Sequence, residues 1–412
     1  LNLSYFIFKR ITQSGSKGFS PAVFKIAIGS IAIGLAAMIV SFLIMRGFQE
    51  TVRSKIFGFS GHLTITRFSM GYASEHRPIN FHMDVYDHPE KYPLVKHTQE
   101  YINKTGLIKT DDEVLGVMVK GVGTRFDTVA FNENLVEGRF IHHPDSGYSN
   151  EVVISRTIAN KLNANVNDRI VVHFFQNPPR FRRLTITGIY ETNLTEYYDS
   201  RVILGDIKLL QRLNDWSDSL AEGVEIFIHH PEQIAQVQDQ ITTYFDENFQ
   251  EHGDKNVESI EEKFINVFEW LELLNRQINI LLVVILIVVA VNMISIILIL
   301  VMERTQMIGI LKALGATDSQ VRKIFLYQGI NLIIKGLIWG NLIGIGICYL
   351  QYKFKIITLN PQNYYMSFVP IGWHWDVVVG LNMVTLLIIT IVLFIPTALI
   401  PKIQPIKAIR FD

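Results

Sequence analysis

The chain has 412 residues, 49% of them hydrophobic and 18% charged, with a mean hydropathy of +0.25. That is too apolar for an ordinary soluble protein and too charged for a chain lying wholly in lipid, so a membrane protein with a large water-exposed part is the first class to test. The net charge of zero conceals a division: residues 47–272 hold 22 Lys+Arg against 34 Asp+Glu, net −12, and the rest holds 16 against 4, net +12.

Residues 1–20 form a basic leading segment with Lys9, Arg10 and Lys17. Ile26–Met45 carries no charge and has the roughly 20 apolar residues that a span requires. It is longer than a signal peptide's apolar core and no A-x-A-like site follows, so it is expected to stay as the first span, residues 21–46. From Gly47 the helix is expected to run on to Lys55 as a stalk, because Phe48, Val52 and Ile56 recur at spacing four among charges.

Strands are predicted over 62–66, 114–121, 151–155, 168–175, 182–190, 200–204 and 223–230, and helices over 156–163, 205–214 and 231–245. Residues 47–272 thus read as an α+β extracytoplasmic domain of one or two lobes inserted between the first two spans. "FINVFEWLELLNRQ" reads as a second stalk. Spans follow at 275–302, 318–352 and 377–400, with only Lys335 charged inside Ile324–Tyr352. A short loop, 353–376, joins the last two spans, and 401–412 is a tail. Lys and Arg gather before span one, between spans two and three and after span four, which puts both termini in the cytoplasm and the large domain outside. The lone Cys348 lies in span three, so that domain has no disulfide and must be held by a packed core.

Between spans two and three lies "ERTQMIGILKALGATDSQVRK", residues 303–323. Met307, Ile310, Leu311 and Leu314 share one face at helical spacing. Gly315 stands where a left-handed cap ends a helix, and Thr317 to Gln320 has the form of a capping box that starts another. Two readings are open from this pattern: a helix lying against headgroups, and a docking surface for a cytoplasmic partner.

Catalytic motifs are missing. There is no G-x-x-x-x-G-K-[ST], so any ATPase is a separate subunit. His142-His143 and His229-His230 are adjacent pairs without metal-ligand spacing and read as surface polar residues; Ser155 has no argued base. No metal, catalytic residue or nucleic-acid partner is expected. Within the spans, Ala27, Ser30, Gly34, Ala37 and Ser41 give span one a smooth face, and Gly336, Gly340 and Gly344 repeat small-xxx-small in span three. Such faces serve packing within one chain or against a second membrane chain. Asn292 is expected to turn inward, away from lipid. Lys335, roughly 18 Å beyond Lys323 at ~1.5 Å per residue, either snorkels or pairs with a partner.

"ERTQMIGILKALGAT" resembles the coupling helix of FtsX/MacB-type ABC transporter permeases, a mechanotransmission class with four spans and a large domain between spans one and two. "MRGFQETVRSKIFGFSGHLTIT", "VVAVNMISIILILVMERT" and "FLYQGINLIIKGLIWGNLIG" are similar to segments of its lipoprotein-releasing (LolC/LolE-type) branch. Pro396, Pro405 and Arg410 fall on that branch's P-x8-P-x4-R tail pattern. "VKGVGTRFD", "VEGRFI" and "EVVISRTIANKLNANVNDRI" resemble the MacB-like periplasmic core, with Asn167 where the motif usually has Gly.

The resemblance implies an inner-membrane permease without bound cofactor, working with a LolD-like ATPase that binds ATP and Mg, a second permease chain, a lipoprotein substrate and a LolA-like periplasmic carrier. It implies Glu303, Arg304, Lys312, Leu314 and Gly315 as ATPase contacts, and Met45 in the acyl-chain site; Phe42, Phe48 and Asn292 are added there from position. Pro178 and Pro179 lie in a loop shorter than the hook that recruits the carrier in LolC-like members. Competing expectations are an FtsX-like regulator of cell-wall hydrolases and a MacB-like efflux permease.

Overall fold

The computed structural model describes residues 3–13, 20–68, 77–109, 114–176, 178–192, 194, 198–360, 364 and 366–398. Pro405, Arg410, the acids at 111–113 and Asn193 lie outside the described residues. The chain divides into two compact units, Leu1–Glu50 with Trp270–Thr358 and Val369–Asp412, and Thr51–Glu269 with Leu359–Phe368.

The first unit is helical. Four helices, Ser20–Ser60, Ile265–Glu303, Asp318–Phe354 and Trp375–Val392, contain stretches long and apolar enough to cross a membrane. We call them spans one to four. Span one has 41 residues in one unbroken helix, roughly 60 Å at ~1.5 Å per residue, about twice the ~30 Å of a bilayer's hydrocarbon. It therefore continues as a rod beyond any membrane.

Packing relies on absent side chains. A Cβ on Gly336 would stand 2.6 Å from Ile31 Cβ, one on Gly340 2.9 Å from Leu35 Cβ, and one on Gly344 3.1 Å from Ala36 Cα. On its other side, span one meets span two at Gly34, where a Cβ would lie 2.5 Å from Val289. Both glycine faces are thus used inside this chain. Spans three and four exchange amide hydrogen bonds, Asn341 to Asn382 at 2.7 Å and back at 2.9 Å, so neither polar group is left unsatisfied in an apolar bundle. A helix not predicted from the sequence, Leu3–Gln13, lies along the start of span three, with the Ser4 hydroxyl donating to Gln320 O at 3.0 Å.

The second unit is built on one mixed sheet and a two-stranded ribbon, with strands β1 (Leu63–Arg67), β2 (Ile79–Asn80), β3 (Val95–Lys109), β4 (Val114–Val122), β5 (Leu135–Gly138) and β6 (Glu151–Ser155). It continues with β7 (Arg169–Phe174), β8 (Arg180–Tyr190), β9 (Val202–Asp206), β10 (Leu220–Ala221), β11 (Gly223–Ile228) and β12 (Lys255–Ser259). The pairing β3-β4-β9-β6-β8 is closed by β7, which pairs both β8 and β3, so six strands form a ring. Strands β11, β1 and β12 continue the sheet from β3, β5 adds to β8, and β2 with β10 forms a separate ribbon. Every predicted strand is found within two residues of its expected ends; β3, β5, β12 and the ribbon were not predicted.

Phe59, from the last turn of the span-one helix, enters the apolar core with Val122, Phe131, Val153, Tyr190 and Leu204. Beside it Lys120, with a side chain 6% exposed, donates to Phe59 O at 2.6 Å and to Glu225 Oε1 at 2.6 Å. Gln99 satisfies the other Glu225 oxygen at 2.8 Å. Removing one member of such a pair leaves a buried charge unpaired, whereas removing both does not. Lys120→Met is expected to destabilise the chain by about 3–5 kcal/mol, with Lys120→Met/Glu225→Met less damaging than either single change; thermal unfolding of the detergent-purified chain checks the order.

Candidate functional site

The segment between spans two and three is a separate helix, Thr305–Ala313. Gly315 adopts φ +92°, which an L side chain rarely tolerates. Thr317 and Gln320 then form both hydrogen bonds of a capping box at the start of span three. One helix stops and the next begins within four residues, and this fixes the angle at which the short helix lies.

The apolar face expected from Met307, Ile310, Leu311 and Leu314 divides. Ile308 and Gly309 are the buried residues and Met307 packs against the core, whereas Ile310 is 47% and Leu314 80% exposed. Met302, Gln306, Ile310 and Leu314 form an outward stripe at spacing four. The periodicity was right, but the neighbouring spans select a different side of the helix as their contact. Glu303 is exposed and Arg304 half-buried. Lys312 is not part of the outward surface: its side chain is 10% exposed and pairs with Asp318 at 2.8 Å, across the Gly315 turn. The sequence signal for that pair is the spacing of a cation just before a cap and an acid just after it.

Phe42 and Met45 are half-buried on span one, and Phe48 is buried with its ring edge-on to Trp270 at 5.6 Å. Gln49 donates to Leu271 O at 3.1 Å, so the rods of spans one and two are pinned where they leave the apolar stretch. Asn292 does not join these residues. It is exposed rather than turned inward, and donates to Ser30 at 3.0 Å, some 12 residues or roughly 18 Å along span one from Phe42. The expectation that it faces the bundle interior is corrected: a hydrogen bond to the adjacent span satisfies it at the surface. Lys335 is exposed on span three. Gly47, which the sequence reading passed over inside "MRGF", sits where a Cβ would meet Gly372 N at 2.5 Å; Gly372 N–H donates to Leu43 O at 2.9 Å.

In the second unit Pro178 and Pro179 are exposed in the turn between β7 and β8, flanked by exposed Phe175 and Phe181. Ser155 is a helix cap, accepting from Ile158 N–H at 3.0 Å. Of the histidines, His229 and His230 are exposed, but His143 is largely buried with Nδ1 3.3 Å from the Asp206 carboxylate, so it is no simple surface residue. Asn167 has φ +76°, which accounts for a glycine-type position there. His62, just past the rod, stacks on Phe57 at 4.6 Å, and its Nδ1 accepts from Ile228 N–H at 3.1 Å.

The architecture is four helices long and apolar enough to cross a membrane, a mixed-sheet domain between the first two and a separate helix between the second and third. The family models agree. The MacB-like periplasmic core domain matches residues 26–244 and the FtsX-like permease C-terminal region matches 279–405. The chain belongs to the FtsX-like permeases that carry a MacB-like periplasmic core domain. Its relatives include the lipoprotein-releasing system transmembrane protein LolC of Haemophilus influenzae, 24% identical over 96% of this chain and 95% of that one. LolE of the same organism is 22% identical over 99% of each chain. Among solved structures, the periplasmic region of MacB from Actinobacillus actinomycetemcomitans covers 52% of this chain and 95% of its own, at 14% identity and a TM-score of 0.36.

Burial, and secondarily Lys96, lowers the His62 pKa from 6.5 to about 4. A proton would compete with the bond that Nδ1 accepts. Because the folded pKa lies below the unfolded one, stability is complete above pH 6.5 and declines as pH falls toward 4. The loss approaches ~3 kcal/mol at the acid end. His62→Asn keeps an acceptor without titrating, so its melting temperature should fall less between pH 7 and pH 4.5 than that of the unsubstituted chain; equal losses would remove His62 as the source.

Proposed function

We propose that this chain is the membrane subunit of an ATP-driven complex that lifts lipoproteins from the outer leaflet of the inner membrane and hands them to a periplasmic carrier. The reading is carried by its end-to-end likeness to transmembrane proteins named for lipoprotein release. Lys and Arg within and flanking the short helix, Arg304, Lys312, Arg322 and Lys323, favour the cytoplasm for that helix, and the acidic domain then lies in the periplasm.

An ATPase subunit binds the stripe of Ile310 and Leu314 with Glu303 and the Gly315 turn beside it, while Lys312 holds the turn through Asp318. The ATPase supplies the ATP and Mg, since the chain has no P-loop. A second permease, a copy or a different chain, completes the pathway. Cargo acyl chains meet span one near Phe42, Met45 and Phe48. Each CH₂ withdrawn from lipid costs about 0.8 kcal/mol, which is why extraction needs ATP. Tightening of the spans passes along the unbroken rods to the sheet, and the exposed turn at Pro178 and Pro179 with Phe181 receives the carrier.

Leu314→Glu is expected to weaken ATPase binding by roughly tenfold or more without preventing membrane insertion, measured by co-purification; retained binding and cargo-stimulated ATPase activity would return the helix to a headgroup-lying role. Depleting the chain should leave outer-membrane lipoproteins in the inner membrane on fractionation, and normal sorting contradicts the transport reading.

A further inference from the structure

A groove of about 600 Å³ opens on the first unit between span three and the start of span four. Its walls are almost wholly apolar, with Leu342, Gly346, Tyr349 and Tyr352 on one side and Trp373 and Trp375 on the other. The two indoles stack at 5.8 Å, and Tyr352 meets Trp373 edge-on at 6.0 Å. Tyr and Trp in this arrangement mark the level of lipid headgroups.

The groove is separate from the packing faces. Gly346 lies two residues beyond Gly344, about 200° around the helix, so it turns away from the glycines that contact span one. Unlike them, Gly346 has no atom within 4 Å of where its Cβ would be. Packing does not require glycine here, yet glycine leaves the groove floor open.

Leu342, Gly346, Tyr349 and Lys353 follow one another at spacings of four, three and four, so an exposed lysine continues the apolar stripe at its headgroup end. Lys355 is exposed two residues on, in the left-handed cap of span three. At the start of span four His374 hydrogen-bonds Glu50 and lies 3.6 Å from Asp376. Gln351 holds this end of the span in place, donating to Ile357 O and Val369 O at 3.1 Å each and accepting from Ile357 N–H at 2.9 Å. An apolar slot whose helical stripe runs on into an exposed lysine is complementary to a lipid with an anionic headgroup.

We propose that this groove holds an acyl chain of an anionic phospholipid from the surrounding leaflet, with its phosphate at Lys353 and Lys355. The lipid is a resident of the fold, not cargo. It wedges spans three and four at the end where their loop leaves the bilayer, and the lysine stems lie along it while their ammonium groups reach the headgroup.

The test uses the full chain in phosphatidylcholine vesicles containing a minor fraction of either dibrominated phosphatidylglycerol or dibrominated phosphatidylcholine, read by quenching of tryptophan fluorescence. The difference between the chain and its Trp373→Phe/Trp375→Phe variant isolates the groove signal. Brominated phosphatidylglycerol is expected to quench that signal at about fivefold lower mole fraction than brominated phosphatidylcholine. Lys353→Gln/Lys355→Gln should abolish the preference, and Gly346→Leu, which adds its Cβ in open space, should reduce quenching by both lipids. Equal quenching by the two headgroups, a preference that survives loss of the lysines, or quenching unchanged by Gly346→Leu would each leave only annular lipid and overturn the proposal.

Discussion

The joint between the long rod and the sheet depends on one buried cation. The last turn of any helix leaves carbonyls without partners and a partial negative charge. In this chain Phe59 and Ser60 of that turn are buried, so the Phe59 carbonyl needs a partner within the protein. Lys120 from β4 reaches Phe59 O, Glu225 from β11 neutralises the lysine, and Gln99 from β3 occupies the carboxylate's second oxygen. Three adjacent strands therefore converge on a single helix terminus. A network of this kind resists partial loosening, because each broken contact exposes a charge to apolar surroundings. The same turn also carries Phe59 into the apolar core, so the ion pair and the core hold the rod's end from two directions.

Along the rods the contacts differ in strength. Arg53 and Glu261 are 3.7 Å apart and largely exposed, a geometry worth between nothing and about 1 kcal/mol. The aromatic contacts, Phe48 on Trp270 and Phe57 on Phe268 at 5.9 Å, each contribute about 0.5–1.5 kcal/mol beyond their buried area. Ring packing, with the Arg53 guanidinium 5.6 Å over the Phe268 ring, is thus what joins the two helices there. The small faces of spans one and three act in the same way within the bundle, since removing side chains lets backbones approach and dispersion act.

Local features were legible in the sequence and shared ones were not. The four apolar runs, the Gly315 stop and the Thr317 restart are each written within a few neighbouring residues, and the alternating β1 and the short apolar run of β6 were readable for the same reason. Strand β3 is the longest in the domain and escaped detection, because Gln99 and Glu100 stand buried where alternation would place apolar side chains. Their partners, Glu225 and Tyr86, are 126 and 14 residues away, so nothing local marks them as satisfied. Asn292 and Lys312 show the converse. Asn292 was read by its type as an inward-turning amide and instead bonds Ser30 at the surface, while Lys312, implied as a partner contact, is largely covered and paired with Asp318.

The Lys312–Asp318 pair also changes what the short helix can transmit. A lysine free to meet a partner would make contact electrostatic and easily screened. Tied instead across the Gly315 turn, it fixes the short helix to the first residue of span three, and the capping box fixes that residue to the span. The exposed stripe of the short helix holds Ile310 and Leu314 together with Gln306, with Glu303 beside it. The short helix and span three therefore meet at a braced corner, and the glycine face of that span packs against span one.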